Sequence, residues 1–328
     1  MALTSRIPYL VSLSGLLAIS FWPVQAQVSS QNGGPGTSAA APVPVRAVMK
    51  NVDFHLTDGI VVHIAFLRGE LIADHGDMPV FDDKSSFHLD IESGTMVVST
   101  TALTNDMNEF VFARPDAPLK KLSVTTQGNQ LELKGILASK GGIPFESAGI
   151  PTVTPDGFIR VHTVKMAALH LPIKGLMDLV GLDTADMINT KKIKGFTIDK
   201  DDLILDPEEL LPPPRMHGHL SSLLVESGGV TLVFASQNPK GDSAAISSTC
   251  GGRNFQSYKG GSIRLGKFTM NDADVELVDS SPADPFDFSI DHYMKQLTAG
   301  YSKITSHQGL CVYMPDFNKV KPTAPAKQ

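Results

Sequence analysis

From residue 46 the chain alternates between apolar and polar side chains, the period of a strand with one wet face. Val52, Phe54 and Leu56 fall on one side, with Asn51, Asp53, His55 and Thr57 on the other. Asp58-Gly59 supplies turn residues, after which Ile60, Val62, Ile64 and Phe66 resume the apolar side. The same logic predicts more hairpins. Leu122 and Val124 turn at Gly128-Asn129 into Leu131 and Leu133, and Ile193, Phe196 and Ile198 turn through 199–202 into Leu203 and Leu205. A long strand follows Pro155-Asp156-Gly157, and residues 215–225 are expected to pair with 230–234.

Two stretches have the period of a helix instead. In 100–112, Leu103, Met107, Phe110 and Val111 form one apolar stripe. In 171–182, Leu176, Leu179 and Val180 form another, with Pro172 in the first turn. Asp206-Pro207-Glu208-Glu209 reads as a short helix start, with an Asp cap and acids at the positive helix end. Beyond residue 255, Ile263, Leu265, Val275 and Leu277 mark strands, and a helix is expected through Tyr293 and Leu297. Many antiparallel strands with few helices predict the α+β class.

Composition divides this pattern. Residues 1–26 read as an export signal: Arg6, an apolar run from Tyr9 to Trp22, and Val24-Gln25-Ala26 as a cleavage site. The expected product is exported, periplasmic or secreted, and soluble. Residues 27–45 and 319–328 read as disordered polar segments, and 237–254 as a linker between a domain at 46–236 and an α+β segment at 255–318. The formal charge is −6, and becomes −7 once Arg6 leaves with the signal, which argues against nucleic acid as a partner. The two cysteines, Cys250 and Cys311, can form one disulfide in an oxidising compartment or remain two separate buried thiols.

Candidate chemistry is sparse. The sequence after residue 26 contains no Gly-x-Ser-x-Gly elbow, P-loop or His-Glu-x-x-His motif. Asp272, Asp274, Glu276 and Asp279 read as the solvated face of a strand. His217 and His219 leave one side of a strand at a spacing that can chelate a metal, but a third ligand is required and only unlinked candidates such as His162 or His170 offer one. Surface or interface histidines are the preferred reading, and no cofactor is expected. Apolar residues are in excess around Met166, Leu169, Leu171, Leu176, Met177, Leu179 and Val180. That excess fits an ordinary core, or a surface that accepts apolar chains of variable shape.

The succession LKKLSVTTQGNQLELKGIL, PTVTPDGFIRVHTVKMAALHLPIKGLMDLVGL, KIKGFTIDKDDLILDPEELLPPPRMHGHL and VTLVFA resembles the LmeA-like phospholipid-binding family. That family is similar to the tubular lipid-binding (TULIP) superfamily, which includes bactericidal/permeability-increasing protein. The resemblance spans residues 46–235. It implies a strongly curved antiparallel sheet wrapped around one or two amphipathic helices, enclosing a groove for acyl chains. Leu103, Met107, Phe110, Leu176 and Leu179 would line it, joined by Leu169, Leu171 and Met177. Residues 255–318 have no counterpart in that pattern.

These readings converge on a non-enzymatic carrier of phospholipid or another acyl lipid, making transient membrane contact. The alternatives are an envelope scaffolding protein that binds a protein partner through an apolar face, and a metal-dependent hydrolase built on His217 and His219.

Overall fold

A computed structural model describes residues 43–138, 142–168, 171–172, 193–199, 202–235 and 246–320. Strands β1 (Val45–His55), β2 (Val61–Ala73) and β3 (Phe87–Ser99) follow one another as antiparallel neighbours. The predicted alternation holds through Val52, Phe54, Leu56, Ile60, Val62 and Ile64, all buried. It then shifts. Phe66 is exposed and Leu67 takes the core position, because the β2–β3 register slips between Ile64 and Phe66. One extra residue at such a bulge exchanges the two faces of the strand beyond it.

Helix α1 (Thr100–Asp106) leaves β3 directly, capped by Ser99, whose hydroxyl accepts from the Ala102 amide at 3.1 Å. It runs into a π-helical turn, Met107–Val111, which closes with the Phe112 amide donating to the Met107 carbonyl at 2.9 Å. The predicted helix over 100–112 is thus two kinds of helix in sequence.

The second sheet is a strongly curved antiparallel half-barrel. Its strands are β4 (Leu119–Gln127), β5 (Gln130–Leu137), β6 (Ile143–Val153), β7 (Ile159–Ala168), β8 (Leu171–Pro172), β9 (Phe196–Asp199) and β10 (Asp202–Leu205). Their order is β4-β5-β6-β7-β10-β9, with β8 beside β7. The hairpins at Gly128-Asn129 and 199–202 form as the alternation predicts. Two irregularities bend this sheet. Lys121 adopts φ 51° where β4 slips against β5, and β6 slips against β7 between Ala148 and Gly149. Gly135 lets the bent strands close up: a Cβ there would lie 2.5 Å from Leu122 Cδ2. Leu171 and Pro172 pair with β7 as a strand, where the start of a helix was expected.

Helix α2 (Pro207–Leu210) has the expected cap, Asp206 accepting from the Glu208 amide at 3.0 Å. The chain then returns to the first sheet. The expected strand over 215–225 is broken at His219 into β11 (Arg215–Gly218), parallel to β3, and β12 (Leu220–Glu226), which forms a hairpin with β13 (Gly229–Ala235). Gly218 permits the close approach, since a Cβ there would meet Ile91 Cβ at 2.9 Å.

The remaining strands are β14 (Phe255–Leu265), β15 (Phe268–Asp279), β16 (Phe286–Ser289), β17 (Tyr301–Ile304) and β18 (Leu310–Met314), with helices α3 (Tyr293–Ala299) and α4 (Phe317–Val320). They do not stand apart. β14 pairs antiparallel with β1 and β16 runs parallel to it, so the first sheet reads β12-β13-β3-β2-β1-β14-β15-β18-β17. The boundary drawn at 237–254 therefore crosses a continuous sheet, and the described residues fall in one compact unit. Its main core includes residues from both sides of that boundary, with Phe54 against Phe288 at 5.3 Å and Phe81 against Tyr258 at 5.4 Å between ring centroids. Cys250 and Cys311 form a disulfide, Cα atoms 5.8 Å apart, tying the approach to β14 onto β18.

Candidate functional site

The inner face of the half-barrel is built by period-2 positions on successive strands. Leu131 and Leu133 come from β5, Phe145 and Ser147 from β6, Ile159, Val161 and Thr163 from β7, and Leu203 and Leu205 from β10. Opposite them stand Val98, Leu223, Val230 and Leu232 of the first sheet. Leu103, Asp106 and Met107 of the helical segment complete the wall with Phe112. These residues surround a cavity of about 210 Å³. That exceeds the ~150 Å³ apolar cavity that stays dry and admits benzene.

The two sheets differ in how well their apolar faces are covered. Val62, Ile64 and Leu67 of β2 are fully buried. Leu131, Leu133, Val161, Leu203 and Leu205 face the cavity and remain only half-buried. A second cluster, centred on Phe112, Leu119, Leu122, Leu137, Phe145 and Met166, closes one side of this space. Phe112 meets Phe196 edge-on at 5.7 Å.

Leu103 and Met107 line the cavity, as the stripe predicts, whereas Phe110 is 40% exposed and does not. The π turn accounts for the difference. Its hydrogen bond spans five residues, so Phe112 comes beneath Met107 and Phe110 turns outward. Leu169, Leu176, Met177 and Leu179 lie outside the described residues, and Leu171 is described only as backbone in β8.

Asp106 is the unexpected member of the wall. It is 2% exposed, its Oδ1 has no hydrogen-bond partner, and burial raises its carboxyl to about 7. Its signal was present in the sequence, three residues after Leu103 and therefore on the same helical face. Glu132, accepting from Thr125 Oγ1 at 3.3 Å, is the other charged side chain among the described lining residues.

Among the described residues, His217 and His162 have other partners. His217 stacks on His88 with centroids 4.3 Å apart, and His88 Nδ1 lies 2.6 Å from Asp74 Oδ1. His162 pairs with Asp202 at 2.7 Å, and His170 lies outside the described residues. Among the described residues, no three His, Cys, Asp or Glu side chains gather as a cluster able to hold a metal ion.

The acidic strand also differs from its solvated reading, because Glu276 and Asp279 are buried. Glu276 accepts from the amide and hydroxyl of Thr249 at 2.9 and 2.8 Å and from the Ser248 hydroxyl. Asp279 accepts from Asn254 Nδ2 at 2.9 Å and the Ser281 amide at 2.7 Å, while burial pushes its carboxyl above the usual range. Both carboxylates fasten the loop around Cys250 and the ends of β14 and β15, and neither belongs to the cavity lining.

No protein-family model matches the chain, and neither a curated protein nor a solved structure matches it. Among the described residues, no helix is long and apolar enough to cross a membrane.

Proposed function

We propose that the protein is a non-enzymatic lipid carrier that holds an acyl chain in the cavity between the half-barrel and the first sheet. The observation that carries this reading is the row of half-buried leucines, with Val161, around an apolar cavity bounded by the described residues. A folded chain ordinarily fills such space to crystal-like density. A curved sheet closed by an amphipathic helical segment also supports the TULIP-like reading. The helix is shorter than that reading implies, and the first sheet forms a wall of its own. The disulfide fits an exported protein, since such bonds persist in oxidising compartments.

The energetics suit transfer. Each methylene taken from water is worth ~0.8 kcal/mol, but a chain leaving a bilayer exchanges one apolar surrounding for another. Net affinity relative to the membrane is then modest, as a carrier needs. Native mass spectrometry of the intact chain purified from bacteria is expected to show bound lipid, lost on substitution Leu133→Glu. A clean unliganded mass, with nothing extractable into organic solvent, rejects the proposal.

A second reading, an envelope interaction protein, is favoured by edge strand β17, where Tyr301 is exposed and Ile304 is 76% exposed. Recovery of one stoichiometric protein partner without lipid, abolished by Ile304→Asp, would support it over the carrier.

A further inference from the structure

An acyl chain alone leaves one wall group unexplained. Asp106 lines an otherwise apolar cavity, is almost wholly removed from solvent, and keeps an unpartnered Oδ1. A buried polar atom without a partner is costly, and native structures leave few of them. The other polar residues of the described lining are Glu132, Ser147 and Thr163, and no Lys, Arg or His belongs to it. An anionic group placed inside would face the Asp106 carboxyl and no Lys, Arg or His of the described lining.

We infer that the cavity takes a neutral apolar molecule carrying a hydroxyl, with the hydroxyl hydrogen-bonded to Asp106 and the hydrocarbon against the half-barrel. This rests on the carrier reading and gives its ligand a class. A hydroxyl is singled out because it serves both forms of the side chain: it donates to the carboxylate and accepts from the acid. An ether or ketone meets only the acid, and an ammonium group leaves the O–H of the acid without an acceptor. Burial holds the Asp106 carboxyl at about 7, so both forms are populated near neutrality, with Glu132 as the other titratable group of the described lining.

The test is calorimetric titration of the full chain with 1-decanol and its isomer methyl nonyl ether, which has the same atoms but no O–H. The alcohol is expected to bind about tenfold more tightly, the scale of one satisfied buried hydrogen bond. In Asp106→Leu the two ligands should bind alike. Asp106→Asn keeps the volume and an acceptor oxygen, and should retain a several-fold preference for the alcohol. Equal binding of alcohol and ether to the native chain overturns the inference while leaving an apolar-chain site standing. Failure of both ligands to bind overturns the inference and the carrier reading together. Loss of preference in the Asn variant as well as the Leu variant marks a packing effect and also overturns it, as does tighter binding of decylamine than of 1-decanol at pH 8.

Discussion

At the scale of single residues, Asp106 sets a pH dependence that can be measured without any ligand. Its carboxyl sits at about 7 in the folded chain against an ordinary value of 3.8. Folding therefore takes up a proton between those values, and the associated stability is full below pH 4 and lost as pH rises through 7. The shift corresponds to a loss on the order of 4 kcal/mol. Urea unfolding is expected to give a lower midpoint for the native chain at pH 8 than at pH 5, and Asp106→Asn should remove most of that difference. An unchanged difference in the variant would assign the pH dependence elsewhere. The sequence spacing that puts Asp106 on the face of Leu103 was legible, but its isolation was not, because that depends on which strands come to face it. Phe110 shows the opposite limit: a 3.6-residue period places it inward, and a hydrogen bond closing five residues away turns it out.

At the scale of elements, alternation was a good guide to where strands run and a poor one to how they bend. The hairpins at Gly128-Asn129 and 199–202 were readable from turn residues flanked by alternating leucines and other apolar residues. The slips at Lys121 and at Ala148–Gly149 left no comparable signature, yet they help to curve the sheet around the cavity. Gly135 marks a tight crossing, and a side chain there must displace Leu122 or Phe145. Gly135→Val is expected to cost about 1–3 kcal/mol as an overpacked contact. Chemical denaturation checks the cost, and a loss below 0.5 kcal/mol, roughly the level of a neutral surface change, would show that the strands have room to relax. The short helix after Asp206 was the most fully legible element, since its cap, first-turn proline and acids are all local.

At the scale of the whole molecule, the sequence reading separated what the structure joins. The polar stretch at 237–254 has the composition of a linker, and composition cannot reveal that β14 will lie against β1. The decisive contacts, Phe54 with Phe288 and the β1–β14 ladder, connect parts of the chain far apart in sequence. The cavity is also a whole-molecule property, because its walls come from both sheets. The disulfide acts at this scale as well. Closing a span of 61 residues restricts the unfolded chain by about 4 kcal/mol in the chain-entropy account. Thermal unfolding of a Cys250→Ser, Cys311→Ser variant should show a lowered midpoint. An unchanged midpoint would mean that the buried Glu276 contacts suffice to hold the loop.

The placement of β1 between β2 and β14 also has a consequence in time. During synthesis β2 emerges at once to pair with β1, but the other edge waits until the entire half-barrel has been made. Until then an apolar strand presents an open row of amides and carbonyls, the kind of edge that recruits other chains. The half-barrel, joined largely by local hairpins, faces no such delay, and local contacts form faster than distant ones. Pulsed hydrogen exchange during refolding should therefore protect amides of β5 and β6 before those of β14. Simultaneous protection would show that the two sheets form in one cooperative step.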